Sequence, residues 1–125
     1  MDKYAPSGKY VTAGRIYHCP VEVTMEVIGG KWTPVLLAHL KEGVRRFGEL
    51  HRLMPDVSEK MLVQRLRELE RAGLVARTVH PGRTPRVEYD LTDEGRSLGP
   101  ALQALYDWGR GRADREGLTV SPVGG

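Results

Sequence analysis

Lys60, Gln64, Arg67 and Arg71 recur at i, i+4, i+7 and i+11 within SEKMLVQRLRELERAGLVAR. At about 100° per residue, that spacing draws one line along an α-helix. The same stretch carries Leu62, Leu66 and Leu69, continued by Ala72, as a seam on the opposite side. A core-anchored helix with an outward row of Lys, Arg and Gln has the chemistry to read nucleic acid. Lys and Arg donate to guanine or to phosphate, and Gln pairs with adenine. No acid falls on the line, and Glu59, Glu68 and Glu70 are expected on its flanks. The same pattern also fits a solvated amphipathic helix.

The elements that must hold this row are punctuated at close intervals. Ser58 is a good N-cap, and Gly73 stands where a helix wants its left-handed C′ residue. Upstream, CPVEVTMEVIG places Val23, Val27 and Ile28 on one helical face, with Pro20 suited to the first turn. Gly29-Gly30 break that helix. KWTPVLLAHLKEG predicts a second, with Trp32, Leu36, Leu37 and Leu40 on one side, Pro34 in the first turn and Gly43 at the end. RFGELHRLMP predicts a short third helix, carrying Phe47, Leu50, Leu53 and Met54, and Pro55-Asp56 then force a turn. Short helix, turn and capped helix together make a helix-turn-helix. In such a unit the N-terminal half of the second helix enters the major groove. That favours Ser58, Lys60, Met61 and Gln64 near bases, with Arg67 and Arg71 meeting phosphates or solvent. Arg65 projects beside the seam, placed either to bond phosphate or to brace the fold.

Past Gly73 the period switches from 3.6 to 2. Val87, Tyr89 and Leu91 alternate with Glu88, Asp90 and Thr92, and LVARTVH is the partner strand. PGRTP between them is turn chemistry, so the segment is a β-hairpin. Its tip, HPGRTPR, holds Arg83, Thr84 and Arg86 with no acid between His80 and Val87. A cationic tip beside a basic helix suits a second contact, in the minor groove or on the backbone. DEGRSLGPALQALYDWG is the last helix, with Leu98, Leu102, Leu105 and Trp108 as its apolar stripe. The fold class is α+β, mostly α: a winged helix-turn-helix with a β-hairpin wing.

The 125 residues suit one domain, spanning 19–111, with an N-terminal tail or arm over 1–18 and a C-terminal tail over 112–125. The net charge of +3 permits a nucleic-acid partner without demanding one. The first residues contain no apolar run of the signal-peptide kind, and no stretch has the ~18 apolar residues of a membrane helix, so a cytoplasmic protein is expected. One cysteine, Cys19, excludes an intrachain disulfide and a multi-Cys zinc site. His18, His39, His51 and His80 lack metal-ligand spacing. No Gly-rich phosphate loop, nucleophile–base pattern or metal cluster is visible, so neither a cofactor nor an enzyme activity is expected.

The segments CPVEVTMEVIGGKWTPVLLAHL, RFGELHRLMPDVSEKMLVQRLRELERAGLVAR and RVEYDLTDEGRSLGPALQALYDWG resemble the HxlR-type (MarR-like) winged helix regulators of bacteria, over Tyr17 to Gly109. The resemblance implies a homodimeric transcription factor on double-stranded DNA, with dimerisation through the terminal helices and wings flanking two recognition helices. It implies repression from an inverted-repeat operator, and an interface that includes Leu98, Leu102, Leu105 and Trp108. Their other reading is closure of the protomer's own core. Cys19 precedes Pro20 at a helix start, where the dipole favours a thiolate. Similar regulators use a cysteine at this CP position to sense oxidants or electrophiles; the alternative is a reduced cysteine that only packs. Any small-molecule or oxidant effector stays unnamed. A reading from another class is a winged-helix protein-interaction module that does not bind DNA.

Overall fold

In the computed structural model, which describes residues 14–121, the core forms around three leucines of one helix. Leu62, Leu66 and Leu69 are buried on α4 (Glu59–Arg71), as the seam predicts. They meet Ile28 of α1 (Pro20–Ile28), then Leu36, Leu37 and Leu40 of α2 (Thr33–Lys41), then Leu50 of α3 (Phe47–Leu53). Pro34 sits in the first turn of α2, where its missing N–H costs nothing. Trp32 lies outside the helix body expected for it. It is the N-cap of α2, with a left-handed φ of 76°.

Three strands close the core on one side. A two-residue strand, β1 (Arg45–Arg46), was not legible in the sequence. It pairs antiparallel with β3 (Arg86–Leu91), which pairs antiparallel with β2 (Val75–His80), giving the order β1-β3-β2. The register sets Val75 opposite Leu91, Arg77 opposite Tyr89 and Val79 opposite Val87, so these six share the inner face. Tyr89, Leu91 and Val75 are buried, as the alternation predicts for β3.

The joint between α4 and the hairpin is built from backbone. Gly73 takes φ 78° and donates its N–H to Glu70 O at 3.0 Å, and Leu74 N–H reaches Leu69 O at 3.0 Å. These are the two bonds of a Schellman stop. Thr92 then ties the far end of the hairpin to the same joint. Its hydroxyl donates to Gly73 O at 2.6 Å and accepts Gly95 N–H at 3.1 Å, while its own N–H donates to Leu74 O. Gly95 belongs to α5 (Asp93–Ser97), which passes so close that a Cβ there would lie 2.2 Å from Leu74 O.

The last helix departs from the sequence reading twice. It is two helices, α5 and α6 (Gly99–Glu116), hinged at Leu98. Pro100 cannot donate to the carbonyl four residues back, so the ladder breaks there. In addition α6 runs through Gly109 and Gly111 to Glu116, with Ala113 buried, so the C-terminal tail does not begin at 112. Gly117, at φ 67°, ends it, with Leu118 N–H on Ala113 O at 2.8 Å. At the other end, residues 14–18 of the expected arm lie along the domain through an Arg15–Glu26 ion pair. The rest of both tails, 1–13 and 122–125, lies outside the described residues.

Gly95→Ala is expected to cost about 1–3 kcal/mol by overpacking, read as a lower urea midpoint with an unchanged slope.

Candidate nucleic-acid interface

The row on α4 begins with a cap. Ser58 accepts Met61 N–H on its hydroxyl at 3.1 Å, which fixes the first turn. From there Lys60, Gln64, Arg67 and Arg71 are exposed, as their spacing predicts, while Met61 is half-buried against the core. Among the described residues neither Lys60 nor Arg67 forms an ion pair.

Arg65 and Glu68 are placed differently from the sequence reading. Glu68 was expected on a solvated flank, yet it is only 3 % exposed. Arg65 turns in beside it, with Nη1 donating to both Glu68 oxygens at 2.8 and 3.0 Å and Nε donating to the Lys31 carbonyl at 2.9 Å. Of the two roles left open for Arg65, its contacts are those of a brace, with Nε and Nη1 both bonded inside the protein. Gly30 makes the room, because a Cβ there would come within 3.3 Å of the guanidinium carbon. The pair fastens α4 to the turn between α1 and α2. It also reaches the outer row, since Gln64 Nε2 donates to Glu68 Oε2 at 3.3 Å.

The wing is the five-residue loop 81–85 between β2 and β3. Arg83 and Thr84 are exposed at its tip, and Arg83 forms no ion pair among the described residues. Arg86 is not part of the acid-free tip. It opens β3 opposite His80, and Glu88, the next residue on that face, holds both. The distances are 3.2 Å from Arg86 Nε and 2.7 Å from His80 Nε2. The His80 hydrogen bond, before the charges of His80 and Arg86, holds the Glu88 carboxyl below its ordinary range. The alternation missed this pairing because it skips one residue along the strand. Between α4 and the strands of the hairpin lies a surface cleft of about 590 Å³, lined by Val63, Arg67, Glu70, Arg71, Arg77 and Tyr89. Arg77 was missed by the sequence reading. The signal was present: at position 77 an arginine replaces the apolar residue that Val75 and Val79 lead one to expect.

A capped helix held at a fixed angle beside a cationic hairpin is the geometry against which known proteins can be compared. The family model described as an HxlR-like helix-turn-helix matches residues 27–117. The chain belongs to the HxlR family. Among HxlR relatives, the HTH-type transcriptional regulator YtcD of Bacillus subtilis (strain 168) is 50% identical over 99 residues, covering 79% of each chain. YdeP of the same organism is 47% identical over 97 residues, covering 78% of this chain and 76% of that one. The solved structure of YtcD superposes with a TM-score of 0.74 at 49% identity, over 77% of this chain and 98% of the other. The redox regulator HypR, solved in its oxidised form, gives 0.71 at 45% identity, over 74% and 96%. The fold is therefore a winged helix-turn-helix, and the family is one of transcriptional regulators. The HxlR match ends one residue beyond α6, in agreement with a helix that continues to Glu116.

The remaining site residues divide. Cys19 is exposed and is the N-cap of α1, ahead of the HxlR-matched span. The carboxylate of Glu22 already answers this helix start. It accepts the backbone N–H groups of His18 and of Cys19, the latter at 3.1 Å, and those bonds hold its pKa low. On α6 the stripe splits, with Leu102 buried and Leu98 half-buried against the core, whereas Leu105 is 51 % and Trp108 64 % exposed. Tyr106, Val21 and Met25 are exposed as well. Among the described residues no helix is long and apolar enough to cross a membrane, and no cluster of three His, Cys, Asp or Glu side chains could hold a metal.

Glu68→Leu is expected to cost about 3–5 kcal/mol, because it leaves the Arg65 charge buried and alone. The double change Arg65→Met/Glu68→Leu is expected to cost less than Glu68→Leu by itself, as read from urea midpoints.

Proposed function

We propose that this HxlR-family chain is a sequence-specific transcriptional repressor that binds an inverted repeat in double-stranded DNA as a homodimer. The observation that carries the reading is the exposed row of Lys60, Gln64 and Arg67 on a helix fixed beside a cationic hairpin tip. Lys60 and Gln64, with Ser58 and Met61, read base edges from the first turns of α4. Arg67 and Arg71 grip the backbone, and Arg83, Thr84 and Arg86 contact DNA from the wing. Arg86 does so by exchanging Glu88 for phosphate. The exposed apolar residues of α6 and α1 support dimerisation, since side chains such as Trp108 and Leu105 gain by leaving water. Two-fold symmetry then sets half-sites about one helical turn apart, or a multiple of it.

Selection of bound duplexes from a random pool tests the reading. Lys60→Ala or Gln64→Ala is expected to relax preference at one base pair per half-site, with a loss of about 1–3 kcal/mol against the wild-type site. Return of the wild-type motif by both variants would refute the assignment. Failure of the wild-type protein to bind any duplex, even at low salt, would favour a protein-interaction module instead.

A second element of the proposal is redox control through Cys19, supported by its exposure at a helix start and by the likeness to HypR. Two thiols, from Cys19 of each subunit or from Cys19 and a small thiol, would give up two hydrogens to an oxidant and form one disulfide. Diamide, which takes up those hydrogens at its azo bond, is expected to change operator affinity. A Cys19→Ser protein that responds to diamide as the wild type does would reject this role.

A further inference from the structure

Arg77 has no part in the readings above, yet it stands where the hairpin's own pattern wants an apolar side chain. Its inner-face neighbours are Val75, Val79, Val87, Tyr89 and Leu91. Nearest the core this face is filled, with Val75, Tyr89 and Leu91 buried. At Arg77 the filling stops and the cleft against α4 opens. Three arginines, Arg67 and Arg71 from the helix and Arg77 from the strand, line it with one carboxylate, Glu70. Such a concavity concentrates positive potential. Neither Arg67 nor Arg77 forms an ion pair among the described residues. Guanidinium forks match phosphate oxygens two N–H groups at a time.

The walls of the cleft say which phosphate. One wall is the recognition helix, and the other is the strand that leads to the wing tip. A helix in the major groove and a hairpin tip at the adjacent minor groove leave one thing between them, the sugar–phosphate strand that divides the grooves. We propose that Arg77, with Arg67 and Arg71, clamps the phosphates of this dividing strand in the cleft between α4 and β2. The backbone grip then comes from both walls, and Arg77 locks the spacing between helix and wing without reading a base. The clamp rests on the DNA-binding reading given above.

The test compares full-length wild type, Arg77→Gln and Arg77→Lys on a selected duplex and on an unrelated one across a salt series. Arg77→Gln is expected to bind both duplexes about three- to tenfold more weakly, with a salt slope shallower by about one per protomer and an unchanged base preference. Arg77→Lys is expected to restore most of the slope. Arg67→Gln/Arg77→Gln is expected to lose less than the two single changes combined, because both side chains share a phosphate. Phosphate ethylation needs no variant. Interference is expected on the strand between the two grooves, and its absence there would overturn the clamp. Wild-type affinity and slope in Arg77→Gln, with weakened binding in Arg83→Ala, would overturn the clamp and leave the DNA-binding reading standing. A wild-type protein that binds no duplex at low salt would remove both.

Discussion

The angle of the recognition helix depends on one buried charge pair. The leucines of α4 hold the helix to the core, but a hydrophobic seam tolerates some rotation, since burial has no direction. Arg65 supplies the direction. It is bonded to Glu68 within the helix and to the Lys31 carbonyl outside it, so rolling α4 would pull a buried guanidinium away from that carbonyl. Gly30 and the left-handed Trp32 shape the turn that receives it. The outward row keeps one bearing because the inward pair cannot slip.

The wing is positioned by a second economy of backbone. Gly73 stops α4, Thr92 bonds back to the Gly73 carbonyl, and Gly95 admits α5 against Leu74. Helix, strand and following helix thus share one joint a few residues wide. The distance between α4 and the hairpin, and with it the width of the arginine-lined cleft, follows from that joint.

Much of this was legible in the sequence, because periodicity and punctuation are local signals. The seam of Leu62, Leu66 and Leu69, the Ser58 cap, the Gly73 stop and the alternation of Val87, Tyr89 and Leu91 all appear as expected. What could not be read depends on partners distant in the chain. Glu68 looks solvated until Arg65 is seen against Lys31, 34 residues earlier. β1 is two arginines without a pattern of their own, made a strand only by Tyr89 and Glu88 alongside. Arg86 lost its place at the free tip for a local reason, since the pleat of β3 puts Glu88, two residues on, on the same face. The extent of α6 was misjudged because Gly109 and Gly111 suggest an end, whereas packing at Ala113 and the left-handed Gly117 set the real one.

The division of the α6 stripe has a thermodynamic consequence. Leu102 is committed to the protomer, while Leu105, Tyr106 and Trp108 remain in water. Any surface that covers them lowers the free energy of the folded chain alone, because the unfolded chain offers no such face. Were that surface a second copy of the chain, as proposed above, the midpoint of unfolding would rise with protein concentration by mass action. One helix would make folding and association a single equilibrium, so that abundance itself tunes how much of the chain is ordered.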